Sequence, residues 1–146
     1  MSNEAKFTTA ADARSFMLGG NATVTIVSLG TGTRFTYKVR ASDDGEVYFV
    51  ALLSGPDNET DYSYLGRITR GVFWAGRKTP KPSDVHPGAT SSQAFAWVWK
   101  LLAKDQLHAN LEIWHEGRCG RCNRKLTVPA SIASGFGPEC VKMECV

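Results

Sequence analysis

The first 118 residues of this 146-residue chain contain no cysteine. All four, Cys119, Cys122, Cys140 and Cys145, lie in the last 28 positions. A disulfide framework spread through the fold is therefore excluded. No apolar run approaches the ~20 residues that a membrane-spanning helix needs. The opening residues, MSNEAKFTTAADARSF, lack a basic segment followed by an apolar one, so they do not read as a secretion signal. These absences lead us to expect a cytoplasmic protein with reduced thiols and no membrane partner. The sequons at Asn21 and Asn58 then imply no glycan. Catalytic signatures are missing too. There is no G-x-S-x-G, no P-loop, and no Cys–His pair away from the cysteine cluster. His86 and His108 read as ordinary surface residues. We expect no enzymatic activity.

Apolar residues make up 42% of the chain and charged residues 21%, the balance of a folded domain. The net charge of +3 says little, but its distribution says more. No acid occurs between Tyr62 and Ser83, a stretch holding Arg67, Arg70, Arg77, Lys78 and Lys81. The acids gather elsewhere, at Asp43, Asp44, Glu46, Asp57, Glu59 and Asp61. One basic region on a two-signed surface is expected.

Residues 1–11 are polar and are expected to be poorly ordered. DARSFML (12–18) fits a short helix with Asp12 as its cap, ended by Gly19 and Gly20. Thereafter the pattern is that of strands. ATVTIVSL (22–29) is rich in β-branched residues, and GTG (30–32) marks a turn. TRFTYKVR (33–40) alternates cleanly. Phe35, Tyr37 and Val39 share one face, and Arg34, Thr36, Lys38 and Arg40 share the other. That outer face is cationic. EVYFVALL (46–53) reads as a more fully apolar, central strand. SGPDNET (54–60) is a string of turn formers, followed by strands over 61–69 and 71–76. LGTGTR lies between strands and is a hairpin turn, not a phosphate cradle.

RKTPKPSDVHPGATSS (77–92) has no apolar period and predicts a long loop. A helix over about 93–104 follows, with Thr90 and Gln93 in capping-box spacing. Phe95, Val98, Trp99 and Leu102 form its apolar stripe, widened by Leu101. LEIWHEG (111–117) reads as a last strand. The expected fold is α+β. An antiparallel sheet of four to six strands packs on one main helix, with a C-terminal zinc-ribbon or treble-clef-like module. The expected divisions are an N-terminal segment at 1–18, a sheet-and-helix core at 19–110 and a zinc-binding module at 111–146.

The cysteines are spaced C-x2-C, then seventeen residues, then C-x4-C. Tetrahedral zinc takes four soft ligands, usually as two close pairs. Asn123, just after the first pair, tolerates a left-handed backbone. Gly137 and Pro138 fit a helix start, which places Cys140 in a first turn whose free amides favour a thiolate. Cys145 is the expected fourth ligand, with His115 as the alternative. Four thiolates leave no open coordination position, and no H-E-x-x-H or similar base stands nearby. The zinc is therefore expected to be structural.

HEGRCGRCNRKLTVPASIASGFGPEC resembles a small cysteine domain of unknown function that recurs in bacteriophage and bacterial proteins. The resemblance runs through Cys119, Cys122, Arg124, Leu126, Thr127, Pro129, Ser131, Ile132, Gly135, Gly137, Pro138 and Cys140. Upstream, LGGNATVTIVSLGTGTRFTYKVR, GPDNETDYSYLG and AFAWVW are similar to segments of small uncharacterised phage proteins with the same tail. The resemblance implies a zinc-binding tail and a phage source, with action in the host cytoplasm, but no settled activity.

Two partners are expected. The first is nucleic acid. Arg34, Lys38, Arg40, Arg67, Arg70, Arg77, Lys78, Arg121, Arg124 and Lys125 would meet phosphates, beside exposed aromatics such as Trp74. The second is a host protein or defence complex bound at VFWAG (72–76). Phe73 and Trp74 are adjacent there and face opposite ways in a strand, so either one is core and the other an exposed anchor, or both are buried.

Overall fold

A computed structural model describes residues 6–55 and 61–115. Two helices and six strands follow one another as α1 (Ala10–Met17), β1 (Asn21–Ser28), β2 (Arg34–Ala41), β3 (Val47–Leu53), β4 (Tyr62–Thr69), β5 (Val72–Ala75), α2 (Thr90–Ala103) and β6 (Leu111–His115). The strands form one antiparallel sheet in the order β5-β4-β3-β2-β1-β6. Strands one to five are a simple meander. After α2 the chain returns to the far edge and pairs β6 with β1. The expected α+β class and antiparallel sheet hold, with two helices on the sheet instead of one.

Local chemistry sets the turns. Arg70 and Gly71 both have positive φ, at 52° and 77°, as a two-residue hairpin of the primed type requires. Between β2 and β3, the Asp44 carboxylate accepts from Ser42 Oγ at 2.6 Å and from the Glu46 amide at 2.9 Å. The Ser42 hydroxyl, and then the Glu46 amide, hold the Asp44 carboxyl below its ordinary value.

The helices start differently from expectation. Thr9, not Asp12, caps α1, and its Oγ1 accepts the Asp12 amide at 3.1 Å. α2 begins at Thr90 after Ala89, whose side chain has no oxygen to cap with, so the Thr90–Gln93 capping box does not form. Ser92 Oγ instead donates to the His86 carbonyl at 2.9 Å, which ties the helix to the preceding loop. The N-terminal segment is also better held than its polarity suggested. Phe7 is 5% exposed, its amide donates to the Ile113 carbonyl at 2.9 Å, and Lys6 bridges to Trp114.

Both helices lie on one face of the sheet. Ala22, Val24 and Ile26 of β1, Tyr37 and Val39 of β2, Val50 of β3 and Leu65 and Ile68 of β4 are buried beneath them. The stripe Phe95, Val98, Trp99 and Leu102 of α2 packs onto these residues, each large side chain contributing about 1.5–3 kcal/mol. Tyr37 and Phe73 flank Phe95, with ring centroids 5.0 and 4.9 Å away. Two polar ties fix the helix. Tyr37 donates its hydroxyl to the Ser91 carbonyl at 2.7 Å, and Trp99 Nε1 donates to the Gly71 carbonyl at 2.9 Å. Burial pushes the Tyr37 phenol well above its ordinary pKa. At the other end Arg14 of α1 reaches Asp105 at 2.7 Å and donates to the Leu102 carbonyl.

Among the described residues, the opposite face has no helix over it. The expected central position of β3 holds, yet its apolar residues are divided between the two faces. β3 is interior in the sheet, but Phe49 on its outer face is 44% exposed. Leu111–His115, the first residues of the expected module at 111–146, forms an edge strand of the main sheet. The remainder of that expected module, with its ribbon or treble-clef form, lies outside the described residues.

Gly66 offers a check on this packing. It sits opposite Val50 and Ala75, next to the β3–β4 register shift at Val50/Ala51. A Cβ there would lie 2.5 Å from the Trp74 carbonyl oxygen and 2.7 Å from the Phe73 ring. Gly66→Ala should destabilise the protein by about 1–3 kcal/mol in chemical denaturation. Gly30→Ala, with nothing within 4 Å, should be close to neutral.

Candidate nucleic-acid interface

Register decides which side chains share the uncovered face. Arg40 pairs with Phe49, Phe49 with Arg67, and Arg67 with Trp74. Directly paired residues point to the same side of a sheet. One row therefore crosses four strands as Arg40–Phe49–Arg67–Trp74, alternating cation and ring. Arg40 is exposed, Arg67 is half-buried and Trp74 is 53% exposed. Arg34 and Lys38 lie on the same face of β2, as the alternation predicted. Lys38 places its ammonium 5.1 Å from the centroid of the Tyr62 ring.

Beside the row is an open hollow of about 540 Å³, lined by Lys38, Arg40, Ala41, Ser42, Asp43, Phe49, Ala51 and Tyr62. Asp43 is the only acid in that lining. No ion pair is formed by Lys38, Arg40 or Arg67 among the described residues. Their charge is therefore available to an incoming anion. Towards β6 the same face is different. Lys6 meets Glu112 at 3.5 Å and covers the Trp114 ring at 5.9 Å. The cationic, aromatic part is confined to β2 through β5.

The remaining expected contacts divide into three sets. Arg70 is exposed in the β4–β5 turn, close in sequence to the row. Lys78 is exposed in the following loop. Arg77 stacks over Tyr64, with its guanidinium carbon 3.9 Å from the ring centroid. It also pairs with Asp84, Nη2 donating to Oδ1 at 2.9 Å while Nε lies 2.7 Å from Oδ2 without the alignment of a hydrogen bond. The acid-free stretch ends at Ser83, and the next residue folds back onto its arginine. Arg77 is thus a structural cation. Arg121, Arg124 and Lys125 lie outside the described residues.

Phe73 and Trp74 split, Phe73 against Phe95 and Trp74 outward. Composition and charge did not single out Phe49 or Tyr62. Period-two alternation within β3, with Val50 inward and Phe49 outward, is the signal that would have done so.

Cys119, Cys122, Cys140 and Cys145 are likewise outside the described residues. His115 is 1% exposed and lies 5.5 Å, ring to ring, from both Phe7 and Phe16. It is anchored in the core where the chain leaves the sheet. Among the described residues, no group of three or more His, Cys, Asp or Glu side chains is arranged to hold a metal. No helix among them is long and apolar enough to cross a membrane.

Comparison with protein families gives one match. The model described as "Family of unknown function (DUF6011)" covers residues 110–143, that is β6 and the cysteine-bearing tail. This agrees with the resemblance to an uncharacterised family over that stretch. No curated protein and no solved structure matches the chain.

The Arg77–Asp84 pair makes a pH prediction. The Lys81 amide, at 2.9 Å, is the main cause that holds the Asp84 carboxyl below its ordinary value of 3.8, helped by Arg77. A depressed folded-state pKa adds stability above the unfolded value and loses it as pH falls through the folded one. Thermal unfolding of the wild type should therefore gain an acid-side decline beginning near pH 3.8. Asp84→Asn should lower the melting temperature at pH 7 and flatten that part of the curve.

Proposed function

We propose that this protein is a non-catalytic nucleic-acid-binding protein that uses the uncovered face of its sheet. The observation that carries the reading is the row Arg40–Phe49–Arg67–Trp74, with Lys38 beside it. Its cations have no acidic partners among the described residues and stand among exposed rings. A polyanion that also offers flat apolar surfaces matches both properties. A face serving only solubility has no need of large rings between its charges.

In the same reading the cysteine cluster binds one structural zinc ion in a reducing cytoplasm. Cys119, Cys122 and Cys140 are three ligands, and Cys145 or the alternative His115 is the fourth. The support is their spacing and their confinement to the tail. The metal would fix Arg121, Arg124 and Lys125 as a second cationic surface. The phage-type resemblance of this tail suits a small accessory protein. A host protein docking on the exposed pair Val72 and Trp74, 49% and 53% accessible, is the second reading. Capture from host lysate that is nuclease-resistant and lost with Trp74→Ala would favour it.

The charge reading is checked by titrating labelled oligonucleotides at several salt concentrations. Binding should weaken steeply with salt, and Arg40→Ala and Arg67→Ala should each reduce the slope of log K against log salt by about 1. Salt-insensitive or absent binding at low ionic strength overturns the reading. Native mass spectrometry should show one zinc per chain, lost with Cys119→Ser. Comparing Cys145→Ser with His115→Asn identifies the fourth ligand.

A further inference from the structure

We infer that the ligand of the open face is a single-stranded nucleic acid, laid across the strands, with bases stacked on Phe49 and Trp74. The inference rests on the nucleic-acid reading above and specifies which form is bound. Phe49 and Trp74 are separated by one strand, that of Arg67. Neighbouring strands lie about 4.8 Å apart, so the two rings stand about 10 Å apart with a guanidinium between them. Arg40 flanks Phe49 on the other side. Ring, cation, ring, cation matches base, phosphate, base, phosphate.

The rings decide between single strand and duplex. Inside a duplex each base face is covered by its neighbours, and a protein ring has no face to stack on. An unpaired strand exposes those faces, and stacking tolerates any base. A duplex would meet a cationic surface through its phosphates alone, leaving the rings at Phe49 and Trp74 without a purpose. The hollow between Tyr62 and Phe49 extends the platform by one further ring. Lys38 over Tyr62 supplies the charge there.

The tail of this same chain is a poorer occupant. Residues 116–146 carry Arg118, Arg121, Arg124, Lys125 and Lys142 against Glu116, Glu139 and Glu144. Those side chains sum to +2, and four thiolates around one zinc dication would bring the segment to about zero. Neither state supplies the dense negative charge that the cationic face complements, so charge complementarity favours a separate polyanion.

The test is fluorescence anisotropy with the full chain, zinc present, against matched single-stranded DNA, single-stranded RNA and duplex DNA of mixed sequence. At least one single strand should bind more tightly than duplex. Phe49→Ala and Trp74→Ala should each weaken single-strand binding by about 5- to 100-fold while leaving duplex binding nearly unchanged. Phe49→Tyr and Trp74→Phe, which keep a ring, should restore most of it. Both positions are solvent-facing, and unchanged thermal unfolding of the variants confirms that the fold is intact. Equal affinity for duplex and single strand, or unaltered binding by the alanine variants, overturns the stacking inference but leaves the charge-based reading standing. Failure of all three probes to bind overturns both.

Discussion

The structure depends on how α2 is held against one face of the sheet. Phe95 sits between Tyr37 and Phe73. Tyr37 carries a hydroxyl that must find a partner once buried, and the Ser91 carbonyl at the start of α2 accepts it. Trp99 does the same about two turns on, through Gly71 in the β4–β5 hairpin. These two hydrogen bonds join the start and the second half of the helix to different parts of the sheet. They fix its position more narrowly than apolar burial alone, which is non-directional.

Covering only one face has a consequence for the other. The strands alternate, so a residue between two that face the helices points to the other side of the sheet. Natural sheets often fill such a face with threonine, lysine and glutamate. Near β1 that is roughly the case here, where Thr25 and Thr36 share a hydrogen bond at 2.8 Å. From β2 to β5 the composition changes to rings and unpaired cations. Holding Phe49 44% exposed in an interior strand forfeits part of its burial energy. The packing of the core cannot explain it, because Phe49 faces away from the core. A ligand with flat faces and negative charge can.

Much of the architecture was legible in the sequence because β2 alternates so strictly. Thr-Arg-Phe-Thr-Tyr-Lys-Val-Arg fixes both the inward set and the cationic outward set. The divergences have local causes. β3 contains apolar residues on both faces, so hydrophobicity alone marked it as central without separating inward from outward residues, and its exposed ring was not singled out. Asp12 and Thr9 are both competent caps, and the choice depended on Phe7 being drawn into the core just upstream. Leu111–His115 abuts the cysteines in sequence but belongs to the sheet by hydrogen bonding, a non-local fact that no local pattern carries. Arg77 looked free only because its acid lies one residue beyond the basic stretch.

The confinement of cysteine to one end acquires a physical meaning from the core. Among the described residues, the buried apolar cluster runs from Phe7 to Ile113. A cysteine-rich tail of about thirty residues has too few large apolar side chains to build a core of its own, and metal binding is the usual way such a segment gains its folding energy. His115, buried against Phe7 and Phe16, is the last described residue before the cysteines. The row from Arg40 to Trp74 is set by the pairing of β2, β3, β4 and β5, which all precede that point in the chain.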